Sequence, residues 1–296
     1  MLNALTIDVE EYFHPAEIQA SVGPEQWDTL PSRVEDQVLQ VLELLAQNRV
    51  TATFFILGWV AERHPRCVRA IVAAGHEIGC HSYAHQLVYR LTPAAFRRDT
   101  VRAVNAIEDA CGVSPWIYRA PSYSITGKSL WALETLIECG FTHDSSIYPI
   151  THDRYGIPGF ERHAHSIHTP SGFIQEIPAA TVKISQNRVM PVGGGAYLRL
   201  LPYRYTSAGV RRLNRDEEKP ACIYFHPWEI DPDQPKLASG TIARLRTYSG
   251  MKGMAAKLNR LMSDFQFCTI GEVYGKPASL KPVIQTETVG QVAAAS

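Results

Sequence analysis

Five residues near the start of the chain and around position 83 have the types needed to hold a metal ion. His81-Ser82-Tyr83-Ala84-His85 sets two imidazoles four residues apart. On a helical turn that spacing brings both rings to one face, close enough to share one ion. Imidazole suits zinc and its first-row neighbours, and a catalytic zinc uses three protein ligands with one position left open. A carboxylate from another strand end would complete the set, and Asp8, Glu10 and Glu11 all stand where the first apolar run finishes. Further polar clusters follow at Arg119-Ala120-Pro121-Ser122, Asp144-Ser145-Ser146 and His226-Pro227-Trp228-Glu229. The triplet Gly193-Gly194-Gly195 calls for backbone freedom or close approach to a partner, either as a turn or as a substrate loop. Arg162-His163-Ala164-His165 offers two more imidazoles on one strand face, a second candidate metal site without a carboxylate companion.

The elements that must position these groups alternate. Residues 4–9 read as a buried strand ending in carboxylates. Ser32-Arg33-Val34-Glu35 has the capping-box pattern, opening a helix whose Val34, Val38, Val41, Leu42 and Leu45 recur at helical spacing. Residues 51–57 are β-branched and aromatic, hence a second strand. Pro65 opens and Gly75 ends the next helix, and 76–80 form a third strand with His81 at its end. The same rhythm gives a helix from Thr92, a strand ending in Arg119, a helix lined by Leu130, Leu133 and Ile137, and a strand ending in Asp144. Near the C-terminus a strand at 221–225 ends in His226, and a helix at 254–265 leads into a last strand.

Reactive groups at the C-terminal ends of successive strands predict an α/β fold of the parallel-barrel kind. No Gly-rich phosphate loop follows the first strand, which argues against a doubly wound dinucleotide fold. From 151 to 201 helical periodicity lapses, so 151–220 is expected to be an inserted loop and β region of a single domain spanning 1–275. Residues 276–296 are polar, Ala-rich and aperiodic, and are expected to form a disordered tail.

Composition narrows the partners. Lys+Arg and Asp+Glu both number 29 in 296 residues, so no bulk charge recruits nucleic acid or an anionic membrane. The six cysteines are scattered without a C-x-x-C pair, which suits buried reduced thiols. No basic leader and no apolar run long enough to span a bilayer is visible, so a cytoplasmic location is expected.

Taken in order, the clusters resemble those of the NodB-homology polysaccharide deacetylases, carbohydrate esterase family 4. That family carries T-F-D-D, then H-[ST]-x-x-H, R-x-P-Y, a later Asp, and a last strand ending in His. The counterparts here are Thr6-Ile7-Asp8, His81 to His85, Arg119 to Ser122, Asp144 and Phe225-His226. The resemblance covers roughly residues 3 to 275 and implies a distorted (β/α)7 barrel. Asp8 to Phe13, the glycine triplet with Leu200-Leu201-Pro202-Tyr203, and His226 to Glu229 look more narrowly like the deacetylases of exosortase (PEP-CTERM) exopolysaccharide loci. This chain departs from the pattern at Val9, where the family has its second Asp, and at Ser122, where it has Tyr.

The resemblance implies a metal-dependent N-deacetylase acting on an N-acetylated amino sugar, with zinc as the divalent ion. Its ligands would be His81, His85 and, because strand alternation puts residues 8 and 10 on one face, Glu10 in preference to Glu11. Asp8 would be the general base, Arg119 would orient it, and His226 would protonate the leaving amine with Asp144 as its partner. The Ser122 amide would receive the oxyanion, while Gly193, Gly194, Gly195 and Tyr197 would border the sugar. Two other readings stand beside this one: a cyclic-imide or ureide hydrolase using the same site, and a catalytically silent carbohydrate-binding barrel.

Overall fold

The computed structural model describes residues 1–19, 21–185 and 188–277; from 278 onward the expected tail lies outside them. In chain order the strands are β1 (Leu2–Val9), β2 (Thr53–Ile56), β3 (Glu77–Cys80), β4 (Ile117–Tyr118), β5 (His143–Asp144), β6 (His165–Thr169), β7 (Gly172–Glu176), β8 (Thr181–Ser185), β9 (Arg188–Pro191), β10 (Cys222–Phe225) and β11 (Gln266–Cys268). From Asn3 to Val9 every residue of β1 is buried, so its polar members Asn3, Thr6 and Asp8 must find partners inside the protein. The buried Thr6 is satisfied by donating to the Ile223 carbonyl at 2.9 Å.

The main sheet runs β10-β1-β2-β3-β4-β5-β7-β6, with β11 also paired to β1. Its pairs are parallel except for the β6–β7 hairpin. Parallel neighbours need crossovers. Helices at Val34–Asn48, Pro65–Ala73, Pro93–Cys111 and Trp131–Glu138 provide them between successive strands from β1 to β5. Each crossover returns the chain to the same side, so the C-terminal ends of β1, β3, β4, β5 and β10 gather their polar clusters together. Beyond β7 the chain passes from the β5 edge to the β10 edge. Ile177 N–H donates to Asp144 O (2.8 Å), Ala180 N–H to Cys222 O (2.9 Å), and Gly194 forms an isolated parallel bridge with Tyr224.

The region 151–220 contains β6 and β7, the antiparallel β8–β9 pair, and the helices Ala196–Leu200 and Tyr203–Arg215. The second helix is amphipathic, burying Thr206, Ser207, Gly209, Val210 and Leu213 and leaving arginines outside, a helical period within the region expected to be loop and strand.

Two local expectations are corrected. Ser32 does not cap the helix Val34–Asn48; Arg33 stands at the N-cap position and makes no side-chain cap. Instead Glu11 reaches across from the end of β1, accepting from Arg33 N–H (3.0 Å), Val34 N–H (3.2 Å) and the Ser32 hydroxyl. A carboxylate is a better partner than a hydroxyl for the positive end of a helix. The stretch from His81 to His85 is not helical either. Ser82 (φ 64°) and His85 (φ 50°) both adopt left-handed backbone, folding a loop that turns the two rings toward each other. Asp99 pins that loop by accepting from Tyr83 N–H (2.9 Å) and Ala84 N–H (3.2 Å).

All six cysteines are free; five are buried and Cys111 is half-buried. No helix among the described residues is long and apolar enough to cross a membrane.

Candidate active site

β1 delivers Asp8 near its end and Glu10 just beyond it, each only 2% exposed. Glu10 Oε1 lies 3.0 Å from His81 Nε2 and 2.9 Å from His85 Nε2. These three side chains form the group competent to hold a metal ion among the described residues. Glu11 is fully buried but turned to the helix start described above, so it is not part of the group. Burial raises the pKa of Glu11; it also works against the charge of Glu10, where His85, His226 and the two imidazole bonds nonetheless hold the carboxyl well below the usual range.

The donor set fits a divalent cation. His81 Nδ1 lies 2.8 Å from the carbonyl oxygen of Arg119, a pure acceptor, so the proton of a neutral ring sits on Nδ1. Its Nε2 lone pair then faces a carboxylate oxygen, an arrangement that needs a proton or a metal ion between them. Two imidazole nitrogens and one carboxylate oxygen are a ligand set of the kind that catalytic zinc uses.

Asp8 sits on a buried guanidinium. Arg119 Nη1 donates to Asp8 Oδ1 and Thr6 Oγ1, both at 2.7 Å, and Nη2 donates to Ser145 Oγ at 2.9 Å. The guanidinium lies 4.1 Å above the Phe55 ring. With the Arg119 fork spent on these partners, Asp8 has one orientation.

His226, at the end of β10, faces the cluster from the other side. Its Nε2 is 3.9 Å from Asp8 Oδ2 and 3.8 Å from Glu10 Oε1, and its ring stacks on Trp228 at 5.0 Å between centroids. Burial disfavours the charged ring, but Glu10, Glu229 and Asp8 together raise its pKa to about 9.

The partner of His226 Nδ1 is Glu229 Oε2 at 3.1 Å, which corrects the expectation that Asp144 would hold this ring. Asp144 instead accepts from Ser146 Oγ at 2.5 Å and lies in register opposite Glu176 of β7. Two buried carboxyl groups side by side cannot both ionise. Burial pushes Asp144 up to about 6, and burial with Asp144 as neighbour pushes Glu176 well above its ordinary value.

A cavity of about 590 Å³ opens over this cluster, with Asp8, Glu10, His85, Ser122 and His226 in its wall. Ser122 holds left-handed backbone (φ 52°) in the turn that follows Arg119. Of the glycine triplet only Gly195 reaches the cavity, together with Tyr197. Gly193 and Gly194 are not at the groove. Gly193 O accepts from Tyr224 N–H at 2.6 Å, and a side chain on Gly194 (φ 144°) would collide with the Tyr224 carbonyl. Their lack of side chains serves backbone contact with β10. The other imidazole pair does not converge: His163 Nε2 faces Glu217 (3.2 Å), and His165 Nδ1 meets the His163 carbonyl (2.9 Å).

Residues 26–140 match the family model for polysaccharide deacetylase. Over this segment the chain is similar to the polysaccharide deacetylases. Residues 145–275 match a separate model, a domain of unknown function (DUF3473). The deacetylase segment therefore brings His81, His85 and Arg119, while Asp8 and Glu10 precede it and His226 lies in the second region. The peptidoglycan-N-acetylglucosamine deacetylase of Bacillus cereus is 30% identical over 159 residues, 49% of this chain and 56% of that protein. The chitooligosaccharide deacetylase of a Bradyrhizobium strain is 39% identical over 82 residues, 27% of this chain and 37% of that protein. The chain thus matches about half or less of the length of these curated relatives. A Mycobacterium smegmatis crystal structure assigned to the polysaccharide deacetylases superposes with a TM-score of 0.55 at 22% identity, covering 96% of this chain and 93% of that one. At that identity the likeness is one of fold.

Two residues of the candidate site escape a strand-end reading, Glu229 and Arg199. Glu229 had a usable signal: Pro227 and Glu229 stand one and three positions after His226, the pattern of a capped helical turn, and Glu229 Oε2 does accept from His226 N–H (3.0 Å). Arg199 follows the glycine triplet with Tyr197 and shares the cavity wall with it, but its contact with Glu229 spans thirty positions and leaves no local signal.

Proposed function

We propose that the protein is a zinc-dependent N-deacetylase that hydrolyses the acetamide of an N-acetylated amino sugar in an exopolysaccharide or its precursor. The observation that carries this reading is the meeting, in one cavity wall, of the Glu10–His81–His85 group, the Arg119-bound Asp8 and the Glu229-bound His226. The family match and the quoted resemblance to exosortase-locus deacetylases support the substrate class.

Glu10, His81 and His85 would hold the ion, which when bound supplies Lewis acidity at the acyl oxygen and acidifies water. Asp8 then accepts a proton from the attacking water, its second oxygen kept in place by Arg119. His226, charged at neutral pH and facing Asp8 from across the cluster, donates to the amine nitrogen as the C–N bond breaks. The Ser122 turn at the cavity wall would offer its amide to the developing oxyanion. Tyr197 in the cavity wall carries an aromatic ring with a hydroxyl tip, suited to a sugar ring. We take the main sheet to be a distorted (β/α)7 barrel, supported by the bonds that carry the chain from β7 toward β10. A cytoplasmic location goes with a precursor substrate.

The test is acetate release from N-acetylglucosamine oligomers and lipid-linked N-acetyl sugars by metal-stripped and zinc-restored protein, beside ring opening of cyclic imides and ureides. Zinc-restored acetate release is expected. Ring opening alone, or no turnover of any substrate, would overturn the reading.

A further inference from the structure

The region that matches the domain of unknown function builds a buried line of charge behind His226. Glu229 is fully buried and uses both oxygens. Oε2 accepts from the backbone N–H of His226 (3.0 Å) and faces ring Nδ1 (3.1 Å), while Oε1 accepts from Arg199 Nη1 at 3.1 Å. The main-chain bond fixes Oε2 relative to the His226 backbone, so the contact to Nδ1 sets the ring itself. An Nδ1–H donated to Glu229 leaves Nε2 facing Asp8 and Glu10.

Arg199 is 2% exposed and is held as tightly. Its Nε donates to Ser249 O (3.0 Å) and its Nη2 to Arg246 O. The helix Ala196–Leu200 that carries it follows directly on the glycines packed against Tyr224 of β10. Lys257 Nζ ties down the end of that helix by donating to Leu198 O (3.0 Å), Arg199 O (2.7 Å) and Leu201 O (2.6 Å). Arg246 and Thr247, on the segment Arg199 clamps, belong to the cavity wall.

A buried ion pair is a poor device for stability, because desolvation cancels most of its attraction and an apolar pair of like volume serves as well. What it does supply is a fixed orientation. We infer that Arg199 and Glu229 are a positioning pair that holds the His226 ring in one rotamer, with Nδ1–H on Glu229 and Nε2 toward the Asp8–Glu10 cluster, and that residues 145–275 contribute this pair to the site besides His226 itself. The inference rests on His226 as proton donor. It also makes one side chain, Arg199, set both the donor and part of the cavity wall.

The test uses zinc-loaded full-length protein and the variants Arg199→Met, Arg199→Lys, Glu229→Gln and the double change Arg199→Met/Glu229→Leu. The double variant removes both charges and keeps an apolar filling, so it decides the matter where a single change unfolds the chain. Its zinc content should stay near that of the parent, and it should fold with a lowered melting temperature because the Ser249 and Arg246 carbonyls and the His226 N–H lose their partners. Its kcat for acetate release from an amide should fall about 10–100-fold with KM little changed, as misorientation of a reacting group does. The fall should be smaller on p-nitrophenyl acetate, whose leaving group needs no proton, and Arg199→Lys should recover most of the loss seen with Arg199→Met. Imidazole ¹⁵N spectra recorded at a pH high enough to remove the proton from Nε2 should show the neutral His226 ring as a single Nδ1–H form in the parent and as a mixture in the double variant. A folded double variant that keeps the single tautomer, keeps parental kcat, or changes only KM would overturn the inference. Should the parent release acetate from nothing, the proposed function fails, and the tautomer spectra still judge the positioning pair by themselves.

Discussion

Replacing His226 by alanine separates roles that chemically alike residues carry in this site. His81 and His85 approach Glu10 at 3.0 and 2.9 Å, whereas His226 Nε2 stands 3.8 Å away and 3.9 Å from Asp8. Under the proposed function the shorter contacts belong to a shared ligand set and the longer ones to a facing proton donor. Removing the His226 ring leaves Glu229 paired with Arg199, so no buried carboxylate is orphaned. The side chain is 17% exposed and its main packing partner is Trp228, so the folding cost should be about 1–2 kcal/mol. His226→Ala should therefore purify folded with one equivalent of zinc. Loss of general acid catalysis should lower kcat for amide hydrolysis about 10²–10⁴-fold, roughly 3–5 kcal/mol of barrier. The loss should be smaller for an activated ester. His81→Ala or His85→Ala should instead lose zinc and activity together. Metal analysis of the purified variants, with rates on an N-acetyl chitooligosaccharide and on p-nitrophenyl acetate, reads both effects. A zinc-free His226→Ala, or one with parental amide rates, would refute the reasoning.

Glu10→Ala should abolish zinc binding. Glu11→Ala should keep zinc and lose about 1–2 kcal/mol of stability, because Glu11 caps the helix Val34–Asn48; equilibrium dialysis and urea unfolding distinguish the two. Gly194→Ala should cost about 3 kcal/mol through its clash with Tyr224, seen as a lower melting temperature with little change in the KM of the folded fraction. The Asp144–Glu176 pair should make stability fall as pH rises. Both folded pKa values are raised, so the folded state keeps a proton that the unfolded chain releases. The benefit is complete below about pH 4 and is lost as pH passes about 6 for Asp144, and higher for Glu176, at up to roughly 1.4 kcal/mol per pH unit for each proton retained. Glu176→Gln should flatten that slope in unfolding curves taken between pH 5 and 8, and an unchanged slope would contradict the assignment.

Much of the site was legible in the chain because strands and helices announce themselves locally. Buried parallel strands are largely apolar, so the polar residues at their ends stand out: Asp8 late in β1, His81 after β3, Arg119 after β4, His226 after β10. Alternation of elements then implies that those ends share one side of the sheet, and the side chains do meet there. The pairing of Arg119 with Asp8 was expected from the family resemblance, and the buried guanidinium does take that carboxylate.

What the chain by itself determined, then, was the supply of reactive groups and the side of the sheet on which they gather, because both depend on patterns a few residues long. Tertiary structure decided which group serves which. Adjacent carboxylates divided their work once the helix Val34–Asn48 began within reach of Glu11, leaving Glu10 to the imidazoles. Asp144 was drawn away from His226 by Glu176, which β7 brings opposite it from thirty-two positions along the chain. Glu229 took that place, held there by Arg199. The glycines at 193 and 194 were claimed by the backbone of β10 and not by the cavity. Each of these outcomes turns on which strand or helix lies next to which, and a buried charge settles on whichever partner that register sets within about 3 Å, a choice no local spacing encodes.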